Sequence, residues 1–228
     1  MPIETTSCGS ATKLTAREAF DKLTAEYQFH TVLDVGCGPE ALHSLAFHKM
    51  GKTVTAIDIQ EPARDFQFKY ICGDTSPTKV HKGYPAVSME GYLDSPFDAL
   101  WVAHVLEHQR DVFLFLRQLH HDLREGGVLA ITVPPMRKEP RLHEMVGGHL
   151  TRWDAGVLCY NLVLAGFDCS QARIKQYKYN LSVIVEKHSI TLPADLHYDC
   201  GDIEKLAAFI PAPLRTERCS GDVQEWNW

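Results

Sequence analysis

This chain predicts an α/β fold built on a doubly wound, mostly parallel sheet, on three observations. Thr31-Val32-Leu33-Asp34-Val35 is an apolar strand that runs straight into Gly36-Cys37-Gly38 and then a helical segment. Twenty residues after Gly38, a second apolar strand passes through Ala56-Ile57 and ends in Asp58-Ile59. Strand-like and helix-like segments then alternate, the pattern of parallel strands joined by right-handed crossovers.

The elements follow in order. Residues 1–14 read as a loose tail. Thr15-Ala16-Arg17-Glu18 fits a capping box, and Ala19, Phe20, Leu23 and Tyr27 follow at helical spacing. The first strand is 31–35. Pro39 suits the first turn of the next helix, which runs to about Lys49 and stops at Gly51. The second strand is 53–58 and the third 68–72. Residues 75–96 hold prolines and glycines with little periodicity and read as a long irregular connection. The fourth strand is 98–103. Asp111 caps a helix whose Val112, Leu116, Leu119 and Leu123 make one apolar stripe. The fifth strand, 127–133, is continuously apolar, as a central parallel strand should be.

Residues 134–150 form a polar loop. A helix from about Asp154 to Ala165 ends at Gly166. Residues 172–178 and 181–187 alternate around Lys178-Tyr179-Asn180, a hairpin. Residues 189–228 lose the pattern, apart from a short helical candidate at 202–209, and close on Trp226-Asn227-Trp228. Two exposed tryptophans on a loose tail would be unusual, so this extension is expected to pack on the domain or on a partner.

Composition narrows the class. At 228 residues, 45% hydrophobic and 23% charged, the chain suits one globular domain with a real core. A net charge of −6 argues against a broad nucleic-acid surface. The seven cysteines are scattered with no C-x-x-C, so they read as small buried hydrophobes in a reducing compartment. Neither a signal peptide nor a membrane span is evident, and the protein is expected to be cytoplasmic.

The chemistry concentrates at strand ends. A Gly-rich turn lets backbone approach a ligand, and a carboxylate at the tip of the next strand can take both hydroxyls of a ribose. Gly36, Gly38 and Asp58 thus describe a pocket for an adenosine-containing cofactor. The dinucleotide fingerprint is not met, because its third glycine is Ala41 here. His104-Val105-Leu106-Glu107-His108 matches H-x-x-E-H, a zinc-peptidase pattern. It follows a strand, whereas zinc needs the pentad inside a helix with a further ligand elsewhere. The expectation is therefore no metal, and turnover without a divalent ion. The loop after the fifth strand carries Gly147-Gly148-His149 and Trp153. A histidine there can take a proton near neutral pH, and an indole gives an apolar platform.

The string Val-Leu-Asp-Val-Gly-Cys-Gly resembles the first motif, D-x-G-x-G-x-G, of the class I S-adenosylmethionine-dependent methyltransferases. Asp34, Gly36 and Gly38 match it, and Glu40 stands where the last glycine is usual. Tyr70–Asp74, Phe97–His108 and Leu123–Pro134 resemble that family's third, fourth and fifth strands, in order and spacing. The resemblance covers roughly residues 28–187 and is to the small, UbiE-like type. It implies a Rossmann-like, mostly parallel seven-stranded sheet with an antiparallel terminal hairpin strand. The domain would run over 15–188, with 189–228 as an extension.

The cofactor implied is S-adenosylmethionine, leaving as S-adenosylhomocysteine. Its expected contacts are Asp34, Gly36, Cys37, Gly38, Asp58, Ile59, Gly73, Asp74, Ala103 and His104. His149 is the expected catalytic base and His104 the next candidate, with His108, Gly148, His149 and Trp153 on the acceptor. The Pro-Pro…Gly-Gly-His…Trp arrangement and Leu164-Ala165-Gly166-Phe167-Asp168-Cys169 look like methyltransferases of polysaccharide or lipopolysaccharide biosynthesis. The expected activity is thus O-methylation of a sugar or glycan. N- or O-methylation of another small metabolite, or a non-catalytic cofactor-binding subunit, are the alternatives. The expected partners are a small-molecule or glycan acceptor and a second copy in a homodimer.

Overall fold

A computed structural model describes residues 14–72, 96–136, 148–197, 201–215 and 223–228. Among the described residues, eight strands form one sheet in the order β3-β2-β1-β4-β5-β7-β6-β8. The strands are β1 Thr31–Val35, β2 Thr53–Asp58, β3 Lys69–Cys72, β4 Phe97–Ala103, β5 Leu123–Val133, β6 Arg173–Tyr177, β7 Asn180–Glu186 and β8 Glu225–Trp226. β3, β2, β1, β4 and β5 are parallel neighbours, while β7 pairs antiparallel with β5 and with β6. The chain steps outward one way from β1 to β2 and β3, then returns to place β4 on the other side of β1. That reversal between β1 and β4 is where open α/β sheets bind ligands, beyond the carboxyl ends of the strands.

The pleat sorts side chains into two layers. Leu33, Val35, Leu100, Val102, Leu129 and Ile131 face helices α3 (Val112–Asp122) and α4 (Ala155–Leu164), meeting Phe115, Leu116, Leu158 and Leu162. Val32, Val54, Ala99, Trp101, Val128 and Ala130 face the other way. They meet Phe20 and Leu23 of α1 (Arg17–Glu26) and Phe47 of α2 (Leu42–Lys49). Burial on both faces is why these strands read as unbroken apolar runs.

Local chemistry explains most of the boundaries. Asp111 and Asp154 cap α3 and α4, accepting the N–H groups of Leu114 and Val157 at 2.9 and 2.7 Å. The β6–β7 hairpin turns at Lys178-Tyr179, with Lys178 left-handed at φ 51°.

Three expectations are corrected. The capping box at Thr15 does not form. The chain enters α1 through Ala16 in the left-handed region at φ 48°, and Glu18 pairs with Lys175 at 3.2 Å. Pro39 does not start α2, which begins at Leu42 after a turn in which Ala41 is left-handed, φ 45°. Among the described residues the sheet has eight strands, not seven. The extra one is β8, which pairs antiparallel with β6 (Ile174 opposite Trp226), too short to leave a sequence period. A five-residue helix α5 (Asp202–Leu206) and a 3₁₀ turn at Ala207–Phe209 precede it. Trp226 and Trp228 are half-buried. Trp228 lies beside Lys22 and Lys175, whose ammonium groups are 5.8 and 5.7 Å from the indole. No helix among the described residues is long and apolar enough to cross a membrane.

Candidate functional site

The glycine loop leaves β1 with both glycines left-handed, Gly36 at φ 72° and Gly38 at φ 68°. The Gly36 and Cys37 N–H groups donate to the Ile57 carbonyl at 2.8 and 3.2 Å, tying the loop to β2. A side chain at Gly36 would overlap Val105, its Cβ falling 2.2 Å from Val105 Cγ2. Gly38 instead opens on free space.

Asp58, at the tip of β2 and 6% exposed, accepts the Gly38 N–H at 2.7 Å on one oxygen and the Gln60 N–H at 2.9 Å on the other. Each carboxylate oxygen keeps further accepting capacity. The Tyr70 hydroxyl donates to the Gly38 and Gln60 carbonyls at 3.3 and 2.9 Å, bracing the loop from β3. Burial raises the pKa of that hydroxyl and of the Cys37 thiol, so both stay neutral. Glu40, which stands in place of the family's last glycine, turns outward to Arg64 at 3.0 Å. Ile59 is exposed, and Ala103 is half-buried at the end of β4.

Asp34 takes a different place from the one expected. It is 1% exposed, accepts the Ser44 hydroxyl at 2.6 Å, and so anchors α2 beneath the loop instead of facing a ligand. Burial pushes its carboxyl up to about 7 against the pull of Ser44. Gly73 and Asp74 lie outside the described residues.

His104 follows β4 with its backbone left-handed, φ 58°, a strained state for a residue with a side chain. Its N–H donates to the Thr132 carbonyl at 2.8 Å, and its ring lies parallel to Tyr179. Nε2 meets Asn180 Oδ1 at 2.9 Å, and Nδ1 stands 3.4 Å from Glu107 Oε1. Burial disfavours the imidazolium, but Glu107 and Asn180 outweigh it and raise the His104 pKa above the ordinary value.

The pentad is not helical. It leaves the strand through His104 and closes in a 3₁₀ turn, Leu106–His108. Glu107 is 1% exposed, and its Oε2 finds no hydrogen-bond partner among the described residues. Its backbone carbonyl accepts the N–H groups of Leu150 and Thr151 at 2.7 and 3.3 Å, bringing the 148–151 segment against the turn. His108 Nδ1 lies 3.0 Å from the Gly148 carbonyl, and its ring meets His149 edge-on at 5.0 Å. One ligand-type atom each from Glu107, His108 and His149 lies within 4.8 Å of the others.

Trp153 is the clearest correction. It is 2% exposed and belongs to the core against α3 and α4, so it offers no platform to an acceptor. Its carbonyl accepts the Met136 N–H at 2.7 Å, locking the strand β5 exit. Tyr70, Asn180 and Glu107 were not expected at the site. Asn180 had no local signal beyond its hairpin, and the setting of Glu107 combines its neighbours His104 and His108 with the backbone of Leu150 and Thr151, some forty residues away.

A family model described as a methyltransferase domain matches residues 33–131. A malonyl-[acyl-carrier protein] O-methyltransferase of Pseudescherichia vulneris is 29% identical over 133 residues, 56% of this chain and 49% of that protein. The chain thus spans about half the length of that curated relative. Among solved structures, a Burkholderia thailandensis 1,6-didemethyltoxoflavin-N1-methyltransferase with bound 1,6-didemethyltoxoflavin and S-adenosylhomocysteine superposes with a TM-score of 0.57. It is 20% identical, and the match covers 76% of this chain and 78% of that one. An S-adenosylmethionine-dependent methyltransferase of Archaeoglobus fulgidus superposes at 0.54, with 15% identity over 76% of this chain and 95% of that one. The chain therefore has the Rossmann-like fold of S-adenosylmethionine-dependent methyltransferases, mostly parallel with antiparallel C-terminal strands.

Proposed function

We propose that this protein is an S-adenosylmethionine-dependent methyltransferase that methylates an oxygen of a small acceptor. The observation that carries the reading is the loop between Gly36 and Gly38, held open at the β1–β4 reversal by Asp58. The residues fit the cofactor. Gly38 opens on free space, so a ligand can approach its backbone, and Asp58 offers carboxylate oxygens suited to ribose hydroxyls. Gly36, Cys37 and Gly38 would face its methionine part, with Ile59, Ala103 and His104 along the same strand ends. When bound, S-adenosylmethionine supplies an electrophilic methyl group on a sulfonium.

The chain's own work is placement and proton handling. Bringing acceptor and methyl donor into line carries much of the rate in a displacement of this kind. Glu107 and Asn180 hold the His104 ring in one orientation at the end of β4. His108, Gly148 and His149 form the acceptor side, where the hydroxyl proton must be received. A sugar or glycan hydroxyl is the acceptor class favoured by the sequence resemblance. The O-methylation named for the malonyl-[acyl-carrier protein] relative supports oxygen as the methylated atom.

The test is calorimetry with S-adenosylmethionine, followed by a screen of sugar, nucleotide-sugar and carboxylate acceptors read as S-adenosylhomocysteine formed. Binding at micromolar affinity with turnover on an oxygen acceptor is expected. Binding without turnover on any acceptor would make the chain a cofactor-binding subunit. Failure to bind would overturn the reading.

A further inference from the structure

We propose that Glu107, His108 and His149 form a binding site for one divalent transition-metal ion, of the zinc or cobalt class, at the turn after β4. The sequence led to the opposite expectation, since the pentad lacks a helix. The structure replaces the helix with a different construction. A strained residue at the end of β4 starts a 3₁₀ turn that presents Glu107 and His108 side by side. The backbone of the 148–151 segment then docks on the Glu107 carbonyl and delivers His149 from the other side.

Three features point to an ion. The first is the tautomer of His108. A carbonyl oxygen can only accept, so Nδ1, 3.0 Å from the Gly148 carbonyl, carries the hydrogen. In the neutral ring Nε2 is then left with its lone pair outward. A backbone carbonyl behind the ring is how ligating histidines are commonly fixed. The second is that Nε2 looks at Glu107 Oε1 across 3.8 Å. With the neutral ring, that lone pair and the carboxylate oxygen face one another as two electron-pair donors that one cation would bridge. The third is Glu107 itself. A carboxylate 1% exposed, with one oxygen lacking a hydrogen-bond partner among the described residues, is a costly group to bury. An ion bound by it removes that cost.

The donor set selects the metal. Two imidazoles and one carboxylate suit zinc, cobalt or iron(II), whereas magnesium prefers oxygen throughout. Bonds to such an ion are about 2.0–2.2 Å. Ligand atoms now within 4.8 Å of one another would draw together by about 1–2 Å, within reach of the 148–151 segment. Three protein ligands leave positions open. His104, 3.4 Å from Glu107 Oε1, orients the carboxylate from outside the ligand set. His149 thereby becomes a ligand and not the free base expected from the sequence. The role of the open positions rests on the methyltransferase reading. There they would hold the acceptor oxygen and lower its pKa, as bound zinc does for water.

The test uses the full chain after dialysis against a chelator. Titration with Co2+ alone should show one ion per chain bound at micromolar affinity or tighter, with visible absorption bands that Zn2+ abolishes. H108A and H149A should each weaken binding at least tenfold. H121A should not, because His121 is exposed on α3 beside Asp122 and serves as a surface-histidine control. Melting curves establish that H149A, which alters only a loop, is folded. Binding weaker than millimolar, or wild-type affinity in both H108A and H149A, overturns the proposal. Because no cofactor is present, failure here is distinct from failure of S-adenosylmethionine binding in the separate calorimetry.

Discussion

The Asp58 carboxylate accepts the Gly38 backbone N–H at 2.7 Å, joining the ends of two neighbouring parallel strands through one side chain. The residue expected to receive the ribose is therefore also the residue that shapes the loop beneath the methionine part. A charge-assisted bond of this kind contributes about 1.5–3 kcal/mol.

Asp58→Ala should weaken S-adenosylmethionine by at least about a hundredfold, since both the shaping bond and the ribose acceptors are lost. Asp58→Asn, which keeps one acceptor, should fall between. Calorimetry on folded variants decides it, and unchanged affinity in Asp58→Ala would remove Asp58 from the pocket.

Asp34 gives a pH signature. Its folded pKa of about 7 stands above the ordinary 3.8, so the folded state holds the proton more tightly than the unfolded chain. Its contribution is greatest below about pH 4 and declines as pH rises toward 7, by up to about 1.4 kcal/mol per pH unit. Urea melts of Asp34→Asn should show a flatter stability profile across that window. An identical slope in both proteins would sink the assignment.

His149 lies on the segment docked against Glu107 and is not part of the glycine loop. His149→Ala should therefore lower turnover at least about 10²-fold while S-adenosylmethionine affinity stays within about twofold. A large fall in cofactor affinity would move His149 into the cofactor pocket, and full activity would leave it no role.

The C-terminal strand is structural. Ending the chain after Ser220 removes β8 and Trp228, and bares the β6 edge at Ile174. Tm should drop by about 5 °C or more, and light scattering should report self-association through the open edge. A truncated protein with the same Tm and the same size would contradict this.

How much of this was visible beforehand depends on how local the cause is. Gly36, Gly38, Asp58, Asp111 and Asp154 act through their immediate neighbours in the chain or at the adjoining strand end, and each is readable from spacing. Thr15 failed because a capping box assumes that the residue before it enters the helix extended. Ala16 enters left-handed, held by the carbonyl of Thr15 meeting His43 at 2.9 Å. Trp153 reads equally as platform or core, and only the packing of α3 and α4 decides. The grouping of Glu107 and His108 with His149 depends on a backbone hydrogen bond across some forty residues, which no local pattern carries.

The Glu107 carbonyl that receives Leu150 gives the molecule a gauge. The Leu150 amide hydrogen can exchange with solvent deuterium only when the 148–151 segment lifts away from the turn. Whatever occupies the space between His108 and His149 must hold that segment down. Slowed exchange at this single amide would therefore report occupancy without a chromophore, a label or turnover. A ligand confined to the glycine loop would leave it ticking at its original rate.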